Sequence, residues 1–331
     1  MEDFKDENSP VNKEDQQQGE TLFDQKQNQP GYDPDNDIQF KISPIGAAFL
    51  GLVGGFFLYQ ILGSLLTILI FGMDIDSIPV ISMRLMTMAG QILFILLPAL
   101  LFAKWIYSDV GKIIRIRKPE WQEIVLFVLG IIIITPLLQS FMFIQNYYIE
   151  IWSKNVAFVN SIKSFFDTIN QMVEKTYGDL ITAHNIYELI LVVIVIAVVP
   201  ALSEESIFRG FIQRSFELKI NKYWAILITA LFFSLYHFNP YGLIPLFILG
   251  VFFGFAAYKT KSLVIPMLLH FINNFSAVLL YHILGDDELI KSDAAVNSNE
   301  LSSYVITFFG LSVIFIGLML LISKYYSLKK S

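Results

Sequence analysis

The chain has 331 residues, 55% of them hydrophobic, only 16% charged and none cysteine, and its mean hydropathy is +0.58. A soluble domain carries about 25% charged residues, so the composition excludes one, and the lack of cysteine excludes disulfides, a thiol nucleophile and Cys-ligated zinc or iron–sulfur centres. The formal charge of −6 belongs to the N-terminus, where residues 1–40 hold 11 Asp or Glu against 3 Lys and leave the rest slightly positive.

Residues 1–41 are rich in Asp, Glu, Gln, Asn and Pro. They hold too little apolar surface to offset the entropy of ordering and read as a disordered acidic tail. A polar stretch ahead of the first apolar one does not suit a cleaved signal peptide. Apolar stretches follow near 45–71, 82–106, 122–146, 187–212, 223–240, 242–258, 262–283 and 302–323. Each is near the roughly 20 residues that a helix needs to cross a bilayer. The expectation is an all-α polytopic transmembrane bundle of about eight spans over 42–323, seven or nine being the alternatives, with a short basic tail at 324–331. Asn239-Pro240-Tyr241-Gly242 reads as a tight turn between two short spans.

Loops with Lys112, Arg115, Arg117 and Lys118, with Arg214, Lys219 and Lys222, with Lys259 and Lys261, and with Lys324, Lys329 and Lys330 alternate with non-basic ones. That bias predicts an integral multi-pass protein, in the cell inner membrane, with both termini cytoplasmic. Residues 151–186 are too polar to span. Phe158, Ile162, Phe165, Phe166, Ile169, Met172 and Val173 recur every three or four residues there. The segment is expected to be an amphipathic helix on the outer surface or packed on the bundle, a lid over a cavity being the further alternative. No phosphate-loop glycine fingerprint and no basic stripe for nucleic acid is present.

An ionisable side chain at bilayer depth costs about 2.5 kcal/mol or more, so it faces a bundle interior or a wet cavity. Three groups meet that description: Glu204-Glu205-Ser206-Ile207-Phe208-Arg209, Phe233-Ser234-Leu235-Tyr236-His237 and His270-Phe271-Ile272-Asn273-Asn274. Glu205 and Arg209 share a helix face and can pair, while Glu204 is turned about 100° away toward another neighbour. His270 and Asn274 also stack. A carboxylate in a partly dry cavity is an efficient proton acceptor for water, and a histidine can orient that water. His270 and the Asn274 amide suit the oxyanion of a tetrahedral intermediate. Taken singly, each group has a structural alternative, an interhelical ion pair or hydrogen bond. His184 and His282 read as interfacial, and Gln91 and Gln139 as packing or cavity-lining residues.

These three groups resemble the Glu-Glu-x-x-x-Arg, Phe-x-x-x-His and His-x-x-x-Asn/Asp motifs of the CAAX protease and bacteriocin-processing (Abi, CPBP) family of intramembrane proteases. That family includes the type II prenyl-protein endopeptidases. The motifs are complete and in family order, and the resemblance covers roughly 187–283, the protease-like core of the bundle. It implies an intramembrane endopeptidase acting on a peptide or a membrane-anchored protein. Glu204 would be the general base, His237 its helper, and His270 with Asn274 the oxyanion pair. Glu205 and Arg209 would support them. Family members are commonly labelled metalloproteases. Glu204, Glu205, His237 and His270 are the residues that could ligate zinc or another divalent ion. No His-Glu-x-x-His signature is present, and the metal-free glutamate mechanism is the favoured reading.

Two other classes stay open: a secondary transporter or proton-coupled permease using the same ionisable residues, and an inactive scaffold or immunity protein of the same fold. Depth poses a further question. Glu205 and His270 each lie nine residues from a basic end, about 13 Å, whereas His237 lies fifteen from Lys222, about 22 Å. The expectation is that the fifth span starts deeper in the cytoplasm, with Lys222 and Tyr223 outside the hydrocarbon.

Overall fold

The structure is a computed structural model that describes residues 38–74, 78–107, 109–284 and 298–329. The acidic tail expected at 1–41 falls almost entirely outside these residues. Internal contacts set a unit Met1–Gln39 apart from the unit Phe40–Ser331. The second unit holds every helix below, and no strand occurs among the described residues.

Seven helices are long and apolar enough to cross a membrane: α1 (Pro44–Phe71), α2 (Val80–Tyr107), α4 (Trp121–Asn155), α6 (Ile186–Glu217), α8 (Leu243–Thr260), α9 (Val264–Leu284) and α10 (Ser298–Leu328). Between them lie the short α3 (Val110–Ile114), the amphipathic α5 (Ala157–Ile181) and α7 (Lys222–Leu235). The eight apolar stretches each correspond to one helix, but α7 has only 14 residues. It is about 21 Å long, short of a hydrocarbon layer of about 30 Å. The stretch 223–240 is therefore not a full-length span. Its helix stops at Leu235 because Tyr236, His237 and Phe238 form a turn, with Phe238 in the left-handed region at φ 49°.

Other boundaries also move. α4 continues through residues 147–155, so the segment 151–186 begins as the end of a 35-residue helix capped at its start by a Glu120–Glu123 box. α6 is capped by Asn185, whose side chain accepts the Tyr187 and Glu188 amides at 3.1 and 3.0 Å. It then runs to Glu217 through two π-helical stretches, Ile194–Val198 and Ser206–Gln213. The second stretch follows Glu205 directly, and all eight of its residues are buried. Such widened turns are frequent at functional sites.

α6 is the central helix, packed by α1, α2, α7, α8 and α9. α10 pairs with α4 and α7 with α8, and Phe127, Ile131, Phe252, Phe253, Leu269 and Ile322 form the main apolar cluster between α4, α8, α9 and α10. Basic residues gather at one end. Lys222 and Lys261 both lie on the Tyr258 ring, at 5.0 and 4.7 Å. Arg117 donates to the Thr260 carbonyl at 2.6 Å, and Lys329 reaches Glu120 at 2.7 Å.

Candidate active site

α6, α7 and α9 bring the three polar groups together. Glu205 is fully buried, and its Oε1 accepts two bonds, from Arg209 Nη1 at 2.9 Å and His270 Nδ1 at 2.8 Å. The Arg209 guanidinium also donates to the Gly250 carbonyl at 3.2 Å and lies 4.2 Å from the Phe233 ring centre. That ring meets His237 at 4.6 Å and His270 at 6.1 Å, both edge-on, and Phe253 stacks on His270 at 5.6 Å. Phe233 thus sits against a cation and two imidazoles, which explains why an aromatic one turn before His237 belongs to the site.

Glu204 points the other way, toward His237, with Oε2 3.9 Å from His237 Nε2. His237 Nδ1 lies 2.6 Å from the Phe233 carbonyl. A carbonyl can only accept, so Nδ1 carries a proton and Nε2 is turned toward Glu204. The same logic holds for His270: its Nδ1–H is given to Glu205, which leaves Nε2 for the cavity. His237 itself lies beyond the end of α7, and its ring hangs back by one turn onto Phe233.

Glu204, His237, His270, Asn273 and Asn274 all line one cavity of about 280 Å³. Glu204 and His237 also bound a second, more apolar cavity of about 190 Å³ beside Gly51 and Gly55 of α1. Asn274 gives one amide hydrogen to the Ile196 carbonyl at 2.9 Å, and its Oδ1 accepts from Asn273 at 3.2 Å. All six residues singled out from the sequence therefore lie at this centre. His184 and His282 do not line either cavity.

Further residues line the larger cavity without having been assigned a role from the sequence: Thr87, Tyr177 and Asn273. Tyr177 had a legible signal, since it continues the apolar stripe of α5 one turn past Val173. Gln91 behaves as a cavity-lining residue and accepts from Ser203 Oγ at 2.8 Å. Tyr59 adjoins Glu204 in the smaller cavity; nothing in its flanking sequence marks it.

Among the described residues no three His, Asp or Glu side chains are placed to hold a metal ion. Glu205 already has Oε1 engaged twice, and both imidazoles reach the centre through Nε2 alone. No step below passes through a metal.

No curated protein and no solved structure matches the chain significantly. The family model described as Type II CAAX prenyl endopeptidase Rce1-like matches residues 186–276. The matched segment runs from the start of α6 into α9 and contains Glu204, Glu205, Arg209, His237, His270 and Asn274. In that core, this multi-pass membrane protein is similar to the Rce1-like family of type II CAAX prenyl endopeptidases.

Proposed function

We propose that the chain is an intramembrane endopeptidase that hydrolyses a peptide bond with water activated by Glu204 and His237, without a resident metal. The observation that carries this is the Glu204–His237 pair. Its 3.9 Å separation is too long for a direct hydrogen bond and suits two partners of one water. Glu204 Oε2 is buried and accepts no hydrogen bond from the protein, and a buried carboxylate oxygen calls for a donor. A water there is polarised from two sides.

Glu204 takes a proton from this water as its oxygen attacks the scissile carbonyl, and His237 Nε2 holds the second hydrogen. The oxyanion that forms is met by the free amide hydrogen of Asn274 and by His270. His270 donates through Nε2, with its Nδ1–H held by Glu205. Glu204 then returns its proton to the leaving amine, and the carbonyl reforms. Arg209 and His270 engage Glu205 while Glu204 faces the cavity, so adjacent carboxylates hold different roles.

A prenylated peptide or another membrane-anchored chain is the substrate class the family match supports. The gathering of basic residues at one end supports an inner-membrane location with that end cytoplasmic. The test compares purified wild type with Glu204→Gln, His237→Ala and His270→Ala on prenylated and unprenylated peptides in lipid nanodiscs. Loss of the general base should lower kcat about 10²- to 10⁴-fold. Equal cleavage by all four proteins would reject the protease reading, and stoichiometric zinc that disappears in the histidine variants would reject the metal-free one.

A further inference from the structure

His237 does not sit within a helix. It lies on the turn that joins α7 to α8, and this hairpin is built from helices of 14 and 18 residues beside spans of 21 to 35. The turn is held by groups of other elements. Two side chains of the turn are anchored to different helices. Tyr236 donates its hydroxyl to the Leu52 carbonyl of α1 at 2.6 Å. Tyr241, only 2% exposed, donates its hydroxyl to Asp167 of α5.

The Tyr241 anchor is reinforced from several sides. Gln145 of α4 donates to the Tyr241 carbonyl at 2.9 Å, and Phe166 meets the Tyr241 ring edge-on at 6.4 Å. Asp167 is also held by Lys163 at 2.9 Å, which lies 3.6 Å from Glu150 of α4. At its other end α5 is clamped by Arg84 of α2. That guanidinium, 2% exposed, donates to the carbonyls of Leu180 at 3.0 Å, Asp179 at 3.4 Å and Thr182. Between the two fixed ends, Tyr177 and Leu180 line the cavity that His237 faces. Phe238, next to the histidine, is held in the left-handed region. A non-glycine residue persists there only when its surroundings over-determine it.

We infer that α5 is a strap that positions His237, with Asp167 and Tyr241 as the positioning residues through which it acts. Their contact ties the turn to α5 as Tyr236 ties it to α1, so Nε2 stays within reach of the water shared with Glu204. This rests on the reading of His237 as part of the water-activating pair. It gives the amphipathic helix a part in catalysis beyond covering the hairpin.

The test uses the purified full-length protein and the nanodisc peptide assay with Tyr241→Phe, Asp167→Ala, Asp167→Asn and the Tyr241→Phe/Asp167→Ala pair. A displacement of about 1 Å can cost about 10²-fold. Tyr241→Phe and Asp167→Ala should therefore each lower kcat about 10- to 100-fold, with KM within about twofold of wild type. The pair should be no worse than either alone. Asp167→Asn keeps an acceptor for the tyrosine hydroxyl and should recover most of kcat, a rescue that general loosening of the bundle would not give. Full kcat in Tyr241→Phe and Asp167→Ala beside an inactive His237→Ala overturns the strap, as does a loss confined to KM. An active His237→Ala overturns the catalytic reading of His237 instead.

Discussion

Two neighbouring carboxylates are separated by their position on one helix. Glu205 faces inward to Arg209 and His270, and Glu204, rotated about 100° from it, faces the cavity and His237. The i, i+4 relation of Glu205 to Arg209 was legible in the sequence and appears as a 2.9 Å ion pair between fully buried side chains. Which histidine serves which carboxylate was not legible, because that depends on how three helices pack. Removing one member of a buried pair leaves an uncompensated charge and costs about 3–5 kcal/mol. Arg209→Met should cost that much in denaturant unfolding in detergent micelles, and the Glu205→Gln/Arg209→Met pair should regain part of it. Arg209→Lys should not restore stability, since the guanidinium also holds the Gly250 carbonyl and lies over Phe233. A cost below about 1 kcal/mol for Arg209→Met would contradict this account.

At the scale of elements, α6 carries a polar stripe at positions 205, 209, 213 and 217. Gln213 donates to the Gly254 carbonyl at 3.0 Å and to Glu217 at 2.9 Å, and Arg115 reaches Glu217 at 2.5 Å. Gly250 and Gly254, one turn apart on α8, thus offer their carbonyls to Arg209 and Gln213. Gly250 is required for this approach. A Cβ there would lie 3.2 Å from the Ala230 backbone and 3.2 Å from the Phe233 ring, and backbone cannot rotate aside. Gly250→Val should cost about 1–3 kcal/mol by overpacking and lower activity through Phe233, whereas Gly310→Val on α10 meets nothing within 4 Å and should be near neutral. Equal melting temperatures for the two variants would refute the close-contact argument. Apolar runs announced the helices, but no residue from Phe232 to Tyr236 breaks a helix by itself. α7 stops shortly before Pro240, which cannot continue a helix, and the turn is then held by contacts with α1, α4 and α5.

For the whole molecule, sidedness is the property that links charge to function. Arg117, Lys222, Lys261 and Lys329 share one end through Thr260, Tyr258 and Glu120, and the positive-inside rule predicts that this end faces the cytoplasm. The absence of cysteine makes this directly testable. In intact cells, Lys118→Cys should stay protected from a membrane-impermeant maleimide and Asn155→Cys, at the end of α4, should react. The reverse pattern would invert the topology.

The sequence by itself determined that the chain is a helical membrane bundle and that its scarce intramembrane charges mark the chemistry. Both follow from local physics: hydrophobic length sets a span, and an ionisable group in hydrocarbon needs an internal partner. Only the tertiary structure decided that Glu205 is the fixed carboxylate and Glu204 the open one, and that His237 rides on a turn tied to α5. Those outcomes depend on which side chains from distant segments meet a buried polar atom. Periodicity along one helix carries no record of its partner on another.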